Sequence, residues 1–353
     1  MHWSGKPYLQ NMKNAFLGAA VLITAAACNK TNNTPAPAPD MNYRPPLTVT
    51  GSYAYASGKT FQGDSTYNFL GYGYDASGKY ADSSSVKHQV LDVVAYLRNN
   101  PDRFNDGFLR EAGSYPIIAG NAMEMATATY RAMTSDYQLT PFKNAVTGYF
   151  PSGDALSAKY IYASYEGYVH QQRLEFSGGA YLMKPYLINT FLQDVQQLQP
   201  ADLVNKYGTH ILTGVIVGAR FKAIYQGECN GSNKTAAANA GLTVALDSVF
   251  KIATGNTVAP GDVYLSTVTN SRLTFDVAGG NLSTIKADTT GAVPRVYLQD
   301  WLASTNAKPY FFVDMPGGAL LGIEELIDDA IKKEAVKNYI STYLKNQAAT
   351  LNP

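Results

Sequence analysis

The sequence predicts a β-rich α+β domain, on three observations. Twenty-six Tyr and 30 Gly, with frequent Thr and Val, favour strands joined by many turns. Hydrophobic residues make up 46% of the 353 and charged residues 16%, enough apolar content for a sizeable core. Along the chain, stretches of strand character alternate with stretches whose apolar residues recur at helical spacing. The formal net charge is +1, from 28 basic and 27 acidic residues with no long run of either sign. That balance argues against a broad electrostatic footprint for nucleic acid or anionic lipid.

The first element is a targeting segment. From Met12 the chain reads MKNAFLGAAVLITAAAC, a lysine, an apolar run from Ala15 to Ala27 and then Cys28, the layout of a secretory signal. The run falls short of the ~20 residues a membrane helix needs. Ala25, Ala26 and Ala27 before Cys28 resemble a bacterial lipobox, with Ala25 where leucine is usual, which implies that Cys28 is acylated and becomes the mature amino terminus. Met1 to Asn11 lacks targeting logic, so Met12 is expected to be the true start. Residues 29–46 are polar and Pro-rich, the composition of an extended tether. The expected organisation is a signal over 1–28, a tether over 29–46 and one domain over 47–353, anchored to the outer membrane of the cell, at its surface or released from it. With Cys28 lipidated, Cys229 is left as a lone thiol and no disulfide is expected.

Within the domain, Thr66 to Tyr74 is a strand candidate ending in LGYGYD, and Ser85 to Asn99 has Val86, Val90, Leu91, Val94 and Leu97 at helical spacing. Pro141 to Phe150 and Val169 to Phe176 read as strands. Pro185 to Tyr207 reads as helix interrupted at Pro200, closing on Gly208, a residue suited to a left-handed cap. Ile211 to Tyr225 and Ser266 to Val277 read as long strands, the second closing on Gly279 and Gly280. Ile323 to Leu344 reads as an amphipathic helix or a pair of helices.

Tyr207, Gly208, Thr209 and His210, at the junction of a helix and a long strand, resemble the signature of the membrane-attack-complex/perforin (MACPF) family. LGYGYD, with Leu70, Gly71, Gly73 and Asp75, resembles its first-strand motif. The pair Gly279 and Gly280 resembles its late glycine pair, and the segment from Trp301 its closing W-x-x-S. With the tail helix, five features fall in family order over about Leu47 to Leu351. Where many members carry two glycines and a basic residue on the long strand, this chain has Val217, Gly218, Ala219 and Arg220, so the bend there would be smaller or borne by Gly214 and Gly218. The resemblance implies a bent, twisted four-stranded antiparallel sheet flanked by helical clusters that unfurl as β-hairpins when subunits assemble into a ring or arc. It extends to surface lipoproteins of Bacteroidetes.

Such a mechanism requires segments compatible with both helix and membrane strand. The expected segments are Phe150 to Glu166 and Glu228 to Leu265. In the second, Leu242, Val244, Leu246, Ser248, Phe250 and Ile252 alternate with Thr243, Ala245, Asp247, Val249, Lys251 and Ala253, one face mostly apolar and one mostly polar. Leu242, Val244, Leu246, Phe250 and Ile252 are therefore the expected membrane-inserting residues. Leu242, Leu246, Val249, Phe250 and Ala253 also share one side of a helix. The first segment has no clean apolar face, and both look short for hairpins whose strands need about 9–11 residues.

Catalytic signatures are lacking: the chain has no GxSxG, P-loop, HExxH or CxxC, and His2, His88, His170 and His210 have no ligand spacing. No enzyme, cofactor, metal or nucleic-acid partner is expected, and His210 reads as a structural hydrogen-bonding residue. Glu324, Glu325, Asp328 and Asp329, followed by Lys332 and Lys333, read as a solvated face. Two functions remain: a pore former acting on a target lipid or receptor, plausible as an antibacterial toxin, and a non-lytic adhesin or glycan-binding surface module.

Overall fold

The computed structural model describes residues 45–52, 66–130, 141–255, 258, 262–308 and 310–352. Its strands are β1 (Leu47–Ser52), β2 (Tyr72–Tyr74), β3 (Val86–Gln89), β4 (Phe104–Asn105), β5 (Phe108–Ala119), β6 (Tyr160–Phe176), β7 (His210–Leu212), β8 (Gly214–Cys229), β9 (Val268–Ala278), β10 (Lys286–Asp288), β11 (Arg295–Tyr297), β12 (Phe311–Asp314) and β13 (Leu320–Gly322). Its helices are α1 (Val93–Asn99), α2 (Ala122–Thr129), α3 (Asn144–Thr147), α4 (Ala180–Met183), α5 (Asn189–Gln197), α6 (Pro200–Tyr207), α7 (Lys234–Phe250), α8 (Gln299–Ser304) and α9 (Ala330–Asn346).

Four long antiparallel strands dominate, in the order β9, β8, β6, β5. The family-implied sheet is thus observed, with additions: β1 lies parallel along the outer edge of β9, β4 pairs the far end of β6, and β12 pairs the start of β8. The side chains explain the layering, because alternate residues of a strand point to opposite faces. One face carries Ile161, Ala163, Ala219, Phe221, Ala223, Tyr225, Leu273, Phe275 and Val277, all packed in one apolar core beneath α7 that also takes in Ile285, Val296 and Trp301. The opposite face carries Glu166, Arg220, Lys222 and Asp276. On that side α2, α3 and the following turn pack Met125, Val146 and Phe150 over Tyr162 and Ile224.

Below this, β13, β7, β2 and β3 form a second sheet that α1, α5, α6 and α9 enclose around a third core. Side-chain caps start several helices: Asp92 accepts from the Ala95 N–H, Asn233 from Ala236 and Asp329 from Lys332.

The structure corrects several expectations. Within Thr66–Tyr74 only Tyr72–Tyr74 is strand. The helical spacing over Ser85–Asn99 is split, since Val86–Gln89 pairs with β2 and the helix starts only after the Asp92 cap. Pro141–Phe150 is a short helix and turn, because its backbone bonds close locally, as in Gly148 N–H to Asn144 O, 3.1 Å. Glu324 is buried rather than solvated, while Glu325 pairs with Lys333 at 2.7 Å and Asp328 with Lys184 at 2.7 Å. The amino-terminal features, Cys28 included, lie outside the described residues.

Candidate functional site

The signature residues meet at two structural junctions. At the first, α6 ends on Gly208, whose φ of +79° and whose hypothetical Cβ, 2.5 Å from the Tyr74 carbonyl, admit only glycine. The Thr209 N–H then donates to Tyr74 O at 2.9 Å, the Ala76 N–H donates to Thr209 Oγ1 at 3.0 Å, and Thr209 Oγ1 lies 2.8 Å from His210 Nδ1. Tyr207 donates its hydroxyl to Asp194 at 2.5 Å. Gly73 and Tyr74 pair with Ile211 and His210, so LGYGYD and YGTH are neighbouring strands of one small sheet, with Leu70 fully buried and the Gly71 N–H donating to Leu212 O at 2.8 Å. Asp75 accepts the Tyr343 hydroxyl at 2.7 Å, which ties the motif to α9. Burial drives the His210 imidazole down to about 3, so it is neutral at physiological pH. The group is a joint, as its hydrogen bond suggested.

At the second junction Gly218, Gly279, Gly280 and Trp301 converge. A Cβ on Gly218 would lie 1.9 Å from Val169 O, and one on Gly279 would lie 2.3 Å from Gly218 O. Trp301 Nε1 donates to Gly279 O at 2.8 Å. The register of β6 against β8 shifts between His170 and Gln172, opposite Gly218, so the irregularity in the sheet sits at this glycine.

Of the candidate inserting residues, Leu242, Val244, Leu246 and Phe250 lie on α7, between β8 and β9, and Ile252 lies just past its end. Leu242, Leu246, Val249 and Phe250 are buried, and Val244 and Ile252 are half-buried. The Phe250 ring stands edge-on to Phe221 at 4.8 Å and to Phe275 at 5.0 Å. Ala253 lies outside the helix, which ends with Lys251 in a left-handed cap at φ +56°. The first segment is displaced from its expected place. Tyr160 to Glu166 is already β6, and the insertion between β5 and β6 spans residues 120–159, with α2 and α3 among its described residues, against residues 230–267 between β8 and β9. Each is about forty residues long, room for two strands of about 9–11 residues and a turn. For the first segment the apparent shortness came from a misplaced boundary, whereas the second keeps its expected length and is long enough as it stands.

The two insertions cover opposite faces of the sheet. Beneath the first lies a row of polar side chains that the sequence reading missed: Tyr115, Glu166, Lys222 and Asp276 sit opposite one another across β5, β6, β8 and β9. Lys222 Nζ is 3.3 Å from Glu166 Oε2, and 5.8 Å from the ring of Tyr149 in the insertion. Burial raises the Glu166 carboxyl, but Lys222 and Arg220 outweigh it and hold it below its usual range. For Asp276 burial dominates over Arg220 and the carboxyl is raised. Arg220 donates to Val313 O at 2.9 Å and Ala81 O at 3.2 Å. Residues 347–352 hold the first insertion from a third side: Phe142 bridges Ala348, the Lys143 N–H donates to Gln347 O at 3.0 Å, and the Ala158 N–H donates to Asn352 O at 3.2 Å.

A bent antiparallel sheet interrupted by two long helical insertions, braced by these junctions, defines a perforin-like architecture. The chain belongs to the MAC/Perforin domain family, whose model matches residues 9–350. The family is one of generally non-enzymatic proteins related to pore-forming toxins. Among solved structures the chain is similar to a protein of Bacteroides thetaiotaomicron described as a candidate cell invasion protein with a MAC/Perforin domain. The TM-score is 0.63 at 18% identity, over 81% of this chain and 62% of that one. It is also similar to GNIP1Aa from Chromobacterium piscinae, at TM-score 0.59 and 16% identity, over 83% of this chain and 58% of that one. The chain thus spans about three fifths of the length of these structures, and the likeness concerns the fold. No curated protein sequence matches it significantly.

Proposed function

We propose that this protein is a pore-forming surface lipoprotein: it is anchored through Cys28 to the outer membrane, assembles with copies of itself into a ring or arc, and inserts residues 120–159 and 230–267 as β-hairpins into a target membrane. The membrane of a competing bacterium is the target we favour, since the lipobox-like amino terminus fits display on a bacterial surface. One observation carries the reading. Each insertion joins two neighbouring strands of the same antiparallel sheet, β5 with β6 and β8 with β9, so unfurling extends ladders that already exist. A closed barrel satisfies the backbone in lipid, and it needs no apolar helix; among the described residues no helix is long and apolar enough to cross a membrane. Withdrawing Leu242, Leu246, Val249 and Phe250 from their bed costs roughly 6–12 kcal/mol at about 1.5–3 kcal/mol per side chain, to be offset by lipid contact and strand pairing in the ring.

Dye release from vesicles containing lipopolysaccharide tests the proposal, with environment-sensitive probes at Leu246→Cys and Phe250→Cys. Leakage with a blue shift is expected. Binding without leakage or shift would favour the non-lytic adhesin or glycan-binding module instead. A Cys28→Ala variant should appear in the soluble periplasmic fraction, and unchanged membrane attachment would count against the anchor.

A further inference from the structure

The sheet's register bears on which side of each hairpin faces lipid, a question that rests on the pore-forming reading and goes past it. β6 and β8 pair without a break from Gly167↔Phe221 to Tyr160↔Glu228, and the Cys229 N–H donates to Lys159 O at 2.9 Å. Antiparallel register is a constant sum of residue numbers, so extending both strands along the same ladder fixes the partner and the side of every residue beyond it. Glu228 and Tyr160 lie on the charged face, the face of Lys222 and Glu166. Continuing from them on that side pairs Asp154 with Lys234, Ser152 with Ala236, Phe150 with Ala238, Gly148 with Ala240, Val146 with Leu242, Asn144 with Val244 and Phe142 with Leu246.

Three features of this derived ladder match a membrane wall. From Ser152 and Ala236 to Phe142 and Leu246 the side carries no charged residue, and the stretch is as long as the ~9–11 residues a tilted membrane strand needs. Just below it stands a pair of opposite charge, Asp154 with Lys234, at the height of a headgroup layer. The other side pairs Tyr149 with Asn239, Thr147 with Gly241, Ala145 with Thr243 and Lys143 with Ala245, a polar surface suited to water. Pro151 lacks an N–H and leaves one bond of the ladder unmade near the headgroup level.

We infer that the hairpins face lipid on the side continuous with Glu166 and Lys222, and that the face now covered by α7 continues into the lumen wall. Leu242, Val244 and Leu246 keep their lipid-facing role. Phe250 moves to the hairpin tip, and Ile252 falls on the lumen side. The alternation of polar and apolar positions thus changes sides between the sheet and the membrane: the apolar bed of α7 runs upward into Asn239 and Thr243, and the charged row runs upward into Leu242 and Leu246.

The test is a cysteine scan in the full-length chain carrying Cys229→Ser, with fluorophores at single sites and vesicles of phosphatidylethanolamine and phosphatidylglycerol. Dye release is followed in parallel. Ala240→Cys, Leu242→Cys and Val146→Cys should be quenched several-fold more by a nitroxide on the acyl chain than by aqueous iodide, and Asn239→Cys, Thr243→Cys and Thr147→Cys the reverse. Alternation of opposite phase, with dye released, overturns this facing and leaves the pore reading standing. Absence of both dye release and lipid quenching at every site overturns the pore reading, and the facing with it.

Discussion

Lowering the pH from 7 to 5 should weaken the fold through His210 by an amount the structure sets. The imidazole is fully buried, hydrogen-bonded to Thr209, and driven by burial to about 3, against about 6.5 in an unfolded chain. Its neutral form is the one the fold accepts, so its contribution is complete above pH 6.5. It is lost progressively as the unfolded chain takes up a proton that the folded chain refuses. Integrated from pH 7 to 5, the loss is about 2 kcal/mol. Burial lowers His170 as well, against the pull of Asp314 and Glu111, and adds to the same trend. Glu166 and Asp82, both held low by neighbouring cations against the effect of burial, remain ionised across this window, so acid loss of their pairs belongs to lower pH. Urea unfolding of the wild type and of His210→Asn at pH 7 and 5 isolates the group, because Asn keeps a polar atom near Nδ1 and does not titrate. The wild type should lose about 2 kcal/mol more than the variant between the two pH values. Equal losses would refute the assignment of a neutral, inaccessible His210.

Other perturbations follow from the same contacts. Lys222→Met leaves Glu166 buried without its partner and should cost about 3–5 kcal/mol in denaturant unfolding, whereas Glu166→Gln with Lys222→Met should recover most of it. Gly218→Val should prevent accumulation of folded protein, since its Cβ would lie 1.9 Å from Val169 O; a normal melting curve would show that the strand can shift there. Trp301→Phe removes the bond to Gly279 O and leaves that carbonyl without its donor, a loss of about 1–3 kcal/mol by calorimetry. Ending the chain after Asn346 deletes the contacts to Phe142, Lys143 and Ala158, so limited proteolysis should cut first within 141–159 while β8 and β9 stay protected.

Much of the fold was readable from local patterns. β8 and β9 announced themselves as long runs between strong stops, and α7 through Leu242, Leu246, Val249 and Phe250 sharing one side of a helix. The signature residues were found because their spacing is rigid, and that spacing is rigid because each sits at a backbone contact, as Gly208 on Tyr74 and Gly279 on Gly218. Ser85–Asn99 misled because Val86 and Val90 satisfy helical spacing, while the pairing of β3 with β2 is settled by contacts distant in sequence. The first insertion was placed too late, although a signal existed. Asn121 and Glu124 form a reciprocal cap, with the Glu124 N–H to Asn121 Oδ1 at 3.0 Å and the Gly120 N–H to Glu124 Oε2 at 2.7 Å, and their spacing marks a helix start. The charged row could not be read at all, since Glu166, Lys222 and Asp276 become neighbours only through register.

The clamp that residues 347–352 place on the first insertion has a consequence for the order of events during synthesis. Phe142 and Ala158 emerge from the ribosome about 200 residues before Ala348 and Asn352, their partners. At the ~5–20 residues per second of translation, the insertion waits roughly 10–40 s for its restraint. During that interval its apolar side chains have at most the sheet face to hold them, and that face is itself complete only once β9 is made. The insertion is therefore least secured in the interval before the tail is made, and the speed with which the chain is completed sets how long that interval lasts.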